Sequence, residues 1–153
     1  MGGGAVYGVQ LRLIECASSN YYSSTPNSTW KAAVIQSNGE WQVSANALVL
    51  SAAPVSDQFG IFFYGDSQLA GGAGLPFGNG LRCVGSGGST LYRLPVVLAS
   101  ANTLAYAVDF GLPTGAGGAI TPGSTWHFQA WFRDPAAGGA SFDLSDGLSV
   151  QFH

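Results

Sequence analysis

Residues 124–133 and 142–152 alternate with the two-residue period of a β-strand, and they carry the side chains best suited to hold a ligand. In the first segment Trp126, Phe128, Ala130 and Phe132 form an apolar row, and His127, Gln129, Trp131 and Arg133 form the opposite one. An indole between imidazole, amide and guanidinium groups suits a sugar. It stacks on the apolar face of a pyranose while its neighbours hydrogen-bond the hydroxyls. Ser149, Gln151 and His153 in the second segment extend that row. The competing reading is that Trp131 is covered by a loop or by a second copy of the chain. Tyr21 and Tyr22, in a stretch rich in Ser, Asn and Thr, are a further pair of candidate contacts.

The acidic residues support two readings. Asp134, Asp143 and Asp146 could converge as hard oxygen ligands for a structural Ca2+, although they follow no EF-hand pattern. Alternatively they serve turns, where Asp accepts hydrogen bonds from nearby backbone N–H groups. Catalytic patterns are poor. The histidines are His127 and the last residue, His153, no Gly-x-Ser-x-Gly elbow occurs, and the Gly-rich runs lead into strands rather than helices. These features predict a protein that is not an enzyme. Cys16 and Cys83 are either two buried thiols or one disulfide. A bridge would close a loop of 66 intervening residues, contribute about 4 kcal/mol in the chain-entropy model and imply an oxidising compartment.

Elements that position these residues are strands. No window shows a sustained helical apolar pattern, and Gly or Pro interrupts most candidates. Alternation predicts about nine strands, over 6–16, 30–36, 41–50, 59–64, 81–84, 91–98, 104–110, 124–133 and 147–152. Asn38-Gly39 predicts a two-residue turn that pairs Val34 with Val43, Ala32 with Ala45 and Trp30 with Ala47. Pro95 predicts an edge or a bulge in strand 91–98. Tyr92, Leu94, Val96 and Leu98 should point inward, as should Leu104, Tyr106, Val108 and Phe110. Residues 65–80 are too many for a tight turn and predict a crossover or a functional loop. The chain is therefore expected to be all-β, one antiparallel β-sandwich domain over 1–153 with jelly-roll or Greek-key connections.

Composition narrows the classes. At 46% hydrophobic the chain has ample material for a core, so disorder is not expected. Only 8% of residues are charged, but no apolar run reaches the ~20 residues of a membrane span. The cations, Arg12, Lys31, Arg82, Arg93 and Arg133, are scattered and the net charge is −3, which argues against nucleic acid. Few charges and many Ala, Gly and Ser residues also suit a densely packed homo-oligomer or filament. Residues 1–7 lack the basic start and apolar run of a signal peptide, so export would require a longer precursor.

Four pieces carry a resemblance: Pro26-Asn-Ser-Thr, the run Gln58-Phe-Gly-Ile-Phe-Phe-Tyr-Gly, the run Pro76-Phe-Gly-Asn-Gly-Leu-Arg-Cys-Val-Gly, and the terminal hairpin from Trp126 to Phe152. From about Pro26 onward the chain resembles an uncharacterised module at the C-termini of secreted multidomain proteins from environmental bacteria. Similar modules often carry a cysteine where this chain has Ser23 and Ser24. The resemblance implies a secreted or cell-surface location and an accessory role toward a glycan or cell-surface polymer. It brings no catalytic motif. A self-assembling structural subunit is the alternative expectation.

Overall fold

The structure is a computed structural model that describes residues 18–21, 24–86, 90–112 and 117–153. Its elements are strands and short 3-10 turns. In chain order the strands are β1 (Ser18–Tyr21), β2 (Val34–Asn38), β3 (Val49–Ala53), β4 (Phe59–Gly65), β5 (Ser67–Gln68), β6 (Leu75–Phe77) and β7 (Gly80–Arg82). They continue as β8 (Val84–Gly85), β9 (Tyr92–Arg93), β10 (Val97–Leu98), β11 (Leu104–Ala107), β12 (Thr125–Arg133), β13 (Phe142–Leu144) and β14 (Gly147–Gln151). The fold is an antiparallel β-sandwich with more strands than the expected nine. Strands 81–84 and 91–98 each break in two, and residues 65–80 form short strands of their own. The predicted strand over 6–16 lies outside the described residues. Among the described residues no helix is long and apolar enough to cross a membrane.

The large sheet runs β9–β4–β12–β14–β1, with β10 also pairing β4 and β13 also pairing β12; the small sheet is β11–β3–β2. Every pair in both is antiparallel. Their facing sides make the main core. Phe62 and Tyr64 of β4, Trp126, Phe128 and Phe132 of β12, and Leu148 and Val150 of β14 meet Ile35, Leu50, Ala52 and Leu104 from the small sheet. Alternation along β12 thus sends its predicted apolar row into the core. Leu104 and Val108 are buried as expected, and Tyr106 and Phe110 pack against the same core. Strand 91–98 does break at Pro95, and both of its halves pair β4 at the sheet edge. Beyond the break Val96 and Leu98 are exposed, not inward as predicted.

The Asn38-Gly39 hairpin is corrected. β2 pairs β3 with Val34 opposite Ala53 and Asn38 opposite Val49, so ten residues, 39–48, separate the strands. Gly39 turns the chain with φ +91°, and a Cβ there would meet the Ala47 carbonyl oxygen at 2.0 Å. The intervening residues pair elsewhere. The Val43 N–H donates to the His153 carbonyl at 2.7 Å, and the His153 N–H donates to the Trp41 carbonyl at 3.2 Å. The observed register buries Ala33 and Ile35 and leaves Val34 and Trp30 exposed, the reverse of the expected face. Since a one-residue change of face inverts a whole strand, the partner strand decided what the local turn signal could not.

β12 meets its C-terminal partners through a bulge. Trp131 lies opposite Leu144, but Phe128 lies opposite Leu148, so the later strand carries one extra residue. At the bulge Ser145 exchanges bonds with Ala130. Its N–H donates to the Ala130 carbonyl (3.0 Å) and its Oγ accepts from the Ala130 N–H (2.9 Å). The extra residue inverts the even-numbered face. Leu148 and Val150 enter the main core, whereas Leu144 points outward to a second cluster with Phe63 and Val84.

Candidate functional site

That second cluster positions the site. On the outer face of the large sheet, Ile61 and Phe63 of β4, Trp131 of β12 and Arg93 of β9 belong to one patch. Register sets Trp131 opposite Ile61 and Arg93 opposite Phe63. Residues 66–86 fold back over this face through two ribbons, β5–β8 and β6–β7. A cleft of about 290 Å3 lies between the β6–β7 ribbon and this face. Phe77 and Arg82 from the β6–β7 ribbon form one wall, Leu91 and Arg93 another, and Trp131 with Ile61 and Phe63 the floor.

An aromatic ladder holds the cleft in shape. The Arg82 guanidinium lies 5.8 Å from the Phe77 ring centre, in cation–π range. Phe77 meets Phe142 edge-on at 5.2 Å, and Phe142 packs on Trp131 at 5.2 Å with the planes tilted by 36°. Phe142 lies directly over Gly78, where a Cβ would fall 2.1 Å from its ring; φ is +60° there, so glycine is required twice over. Asn79 ties the ribbon down. Its Nδ2 donates to the Gly138 carbonyl (2.9 Å) and its Oδ1 accepts from the Ala140 N–H (2.9 Å).

The predicted contact row is only partly available to a ligand. Trp131 lines the cleft. Gln129 is fully buried beneath residues 81–83, which corrects its expected role. Its Oε1 accepts from the Cys83 N–H (2.8 Å), while Nε2 donates to the Leu81 (2.8 Å) and Ser145 (2.6 Å) carbonyls. His127 is half-buried, with Nδ1 2.7 Å from Ser149 Oγ and its ring edge-on to Tyr21. Burial lowers its pKa, and Asp66 partly opposes that shift. Arg133 is exposed and does not line the cleft. Tyr21 packs over Gly147 and donates its hydroxyl to the Cys83 carbonyl (3.2 Å), a structural tie. Burial raises its pKa. Tyr22 lies outside the described residues.

The three carboxylates fasten the terminal hairpin to segment 20–35. Asp134 accepts from the Ser28 N–H (2.9 Å) and from Ser28 Oγ. Asp143 accepts from Thr25 Oγ1 (3.1 Å) and from the Leu144 N–H (2.7 Å). Asp146 accepts from Asn20 Nδ2 (2.8 Å) and the Ile35 N–H (2.8 Å). Each is buried against a different part of segment 20–35. Among the described residues no three potential metal ligands gather, so the expected Ca2+ finds no donor set here. Burial raises the pKa of Asp143 and Asp146, with the hydrogen bonds opposing the shift.

Cys83 is a buried free thiol, which does not support the expected bridge; Cys16 lies outside the described residues. Burial pushes its pKa up to about 11, with Asp146 adding to the shift and Gln129 opposing it. It is therefore protonated and unreactive at neutral pH.

Two features went unread in the sequence. Arg82 and Arg93 were visible only as scattered cations, because their meeting depends on how residues 66–86 fold back. Trp30, expected at the start of strand 30–36 on its apolar face, is 89% exposed, with φ +71° in the left-handed region. Its loop is pinned by buried Asn27, whose Nδ2 donates to the Pro54 carbonyl (2.9 Å) and whose Oδ1 accepts from the Thr29 N–H (2.9 Å). The Pro-Asn-Ser-Thr cluster before Trp30 was the available signal for such a turn.

Compared with known proteins, the chain matches no family model, no curated protein and no solved structure. What fold and site define together is a class: an all-β module with an aromatic, cation-bearing cleft on the outside of its larger sheet. The resemblance to modules of secreted proteins rests on the sequence segments alone.

Proposed function

We propose that the chain is a non-catalytic binding module of an exported or cell-surface protein, and that it holds a glycan in the Trp131 cleft. One observation carries this reading. A partly buried Trp131 lies on the floor of an open cleft, with Phe77 and Arg82 on one wall and Leu91 and Arg93 on the other. Aromatic faces with a few polar groups at the rim match the chemistry of a sugar ring, apolar on its faces and polar around its edge. The buried carboxylates favour binding over catalysis, because each is engaged by backbone or side-chain donors and they do not converge on the cleft. Affinity electrophoresis and pull-down against a panel of polysaccharides test it. The full chain should be retained by at least one polymer, and Trp131→Ala should weaken retention by about tenfold or more. A chain that binds no polysaccharide, or a Trp131→Ala variant that binds as well, would sink the reading.

A second reading, association with copies of itself, has its own observation. Phe59 and Leu98 lie directly opposite each other across the β4–β10 pair and are 53% and 59% exposed, with Val96 nearby and more exposed still. An apolar patch beside an edge strand is a natural contact between copies. Light scattering discriminates the two: a large particle dispersed by Leu98→Lys supports assembly, and a monomer removes it.

A further inference from the structure

We infer that the Trp131 cleft is selective for an acidic sugar, a pyranose bearing a carboxylate, as in a polyuronate. The inference rests on the glycan reading above and adds the charge of the ligand. The chain has a net charge of −3 and only four arginines, yet two of them, Arg82 and Arg93, line this one cleft. No carboxylate lines it with them, and neither arginine has an ion-pair partner among the described residues.

Arg82 Nε is buried without a hydrogen-bond partner. A buried donor left unpaired is costly, and more so on a charged group. The structure keeps it there, with the guanidinium held over Phe77. An incoming carboxylate would pair with the part of the Arg82 guanidinium that lines the cleft, since the planar fork of Arg matches a carboxylate in a bidentate pair. Phe77 and Trp131 then meet the apolar face of the ring that carries it. The cleft volume of about 290 Å3 sits at the small end of ligand sites, which favours one sugar residue over an extended segment. A ligand of high charge density such as nucleic acid is disfavoured by the net negative charge.

The experiment is calorimetric titration of the full chain with polygalacturonate, alginate and hyaluronan, each beside its methyl-esterified form, and with dextran sulfate and oligo(dT). At least one acid form should bind about tenfold or more tightly than its neutral ester, and added salt should erode that preference. Arg93→Gln, at an exposed position that leaves the fold intact, should abolish the preference, and Arg82→Gln should do the same. Equal binding of acid and ester, or a preference that survives both substitutions, would overturn the inference. Tighter binding of dextran sulfate or oligo(dT) would overturn it in favour of another anion. Trp131-dependent binding that ignores charge would leave the glycan reading standing and remove only the carboxylate. If no polysaccharide binds, both fall together.

Discussion

Gln129 shows how a polar side chain can support a binding surface without touching it. Its amide makes three bonds to the backbone of residues 81, 83 and 145, and so glues the 66–86 segment to the sheet. Truncation to alanine removes the acceptor of the Cys83 N–H and one donor from each of the Leu81 and Ser145 carbonyls. Gln129→Ala should cost about 3 kcal/mol or more in chemical denaturation and should also disturb the Trp131 cleft. Trp131→Ala, in contrast, removes a ring that lines the cleft and is only partly buried, and should affect binding more than folding. The sequence did assign Gln129 to the correct face of its strand, because alternation is a local property. It could not say that the face is covered, because the cover comes from residues nearly fifty positions away. Arg82 was illegible as a site residue for the same reason.

At the scale of elements, the carboxylates of the terminal hairpin clamp segment 20–35, and they make stability depend on pH. Burial raises Asp143 and Asp146 above the usual carboxylate pKa, so the folded state holds their protons more tightly than the unfolded chain does. The folded state is therefore favoured by these groups at low pH. That contribution is lost as pH rises from the unfolded value of about 4 through the raised folded values. Asp146→Asn removes the titration, so the stability of the wild type relative to this variant should fall as pH rises through that window. Denaturation midpoints measured for both proteins between pH 4 and 7 check it; a gap that widens in favour of the wild type would contradict the direction.

The terminal hairpin itself was legible, since strong alternation with a Gly- and Asp-rich loop between two rows leaves little choice. The Asn38-Gly39 hairpin was misread because segment 30–36 has apolar residues on both faces. Val34 and Trp30 argue for one face, Ala33 and Ile35 for the other, and only pairing with Leu50 and Ala52 decides. The bulge at Ser145 was hidden as well: Phe142, Leu144, Leu148, Val150 and Phe152 share one even-numbered row in sequence, interrupted only at Asp146, although the two ends of that row serve different clusters.

For the whole molecule, β12 is the structural centre. It pairs β4 on one side and β13 and β14 on the other, with the main core beneath it and the smaller cluster above. Its amides between Trp126 and Phe132 should exchange with solvent only on global unfolding, whereas those of β9 and β10 at the edge should exchange far sooner. Hydrogen exchange followed by mass spectrometry reads this directly, and early exchange in β12 would mean that the sandwich opens at its middle. The layered arrangement has one further consequence. Phe77 and Arg82 come from an excursion that packs on the outside of the sheet, and neither belongs to the main core. The walls of the cleft can therefore be rewritten with little penalty to folding, so a scaffold of this kind can diversify what it recognises while remaining the same molecule underneath.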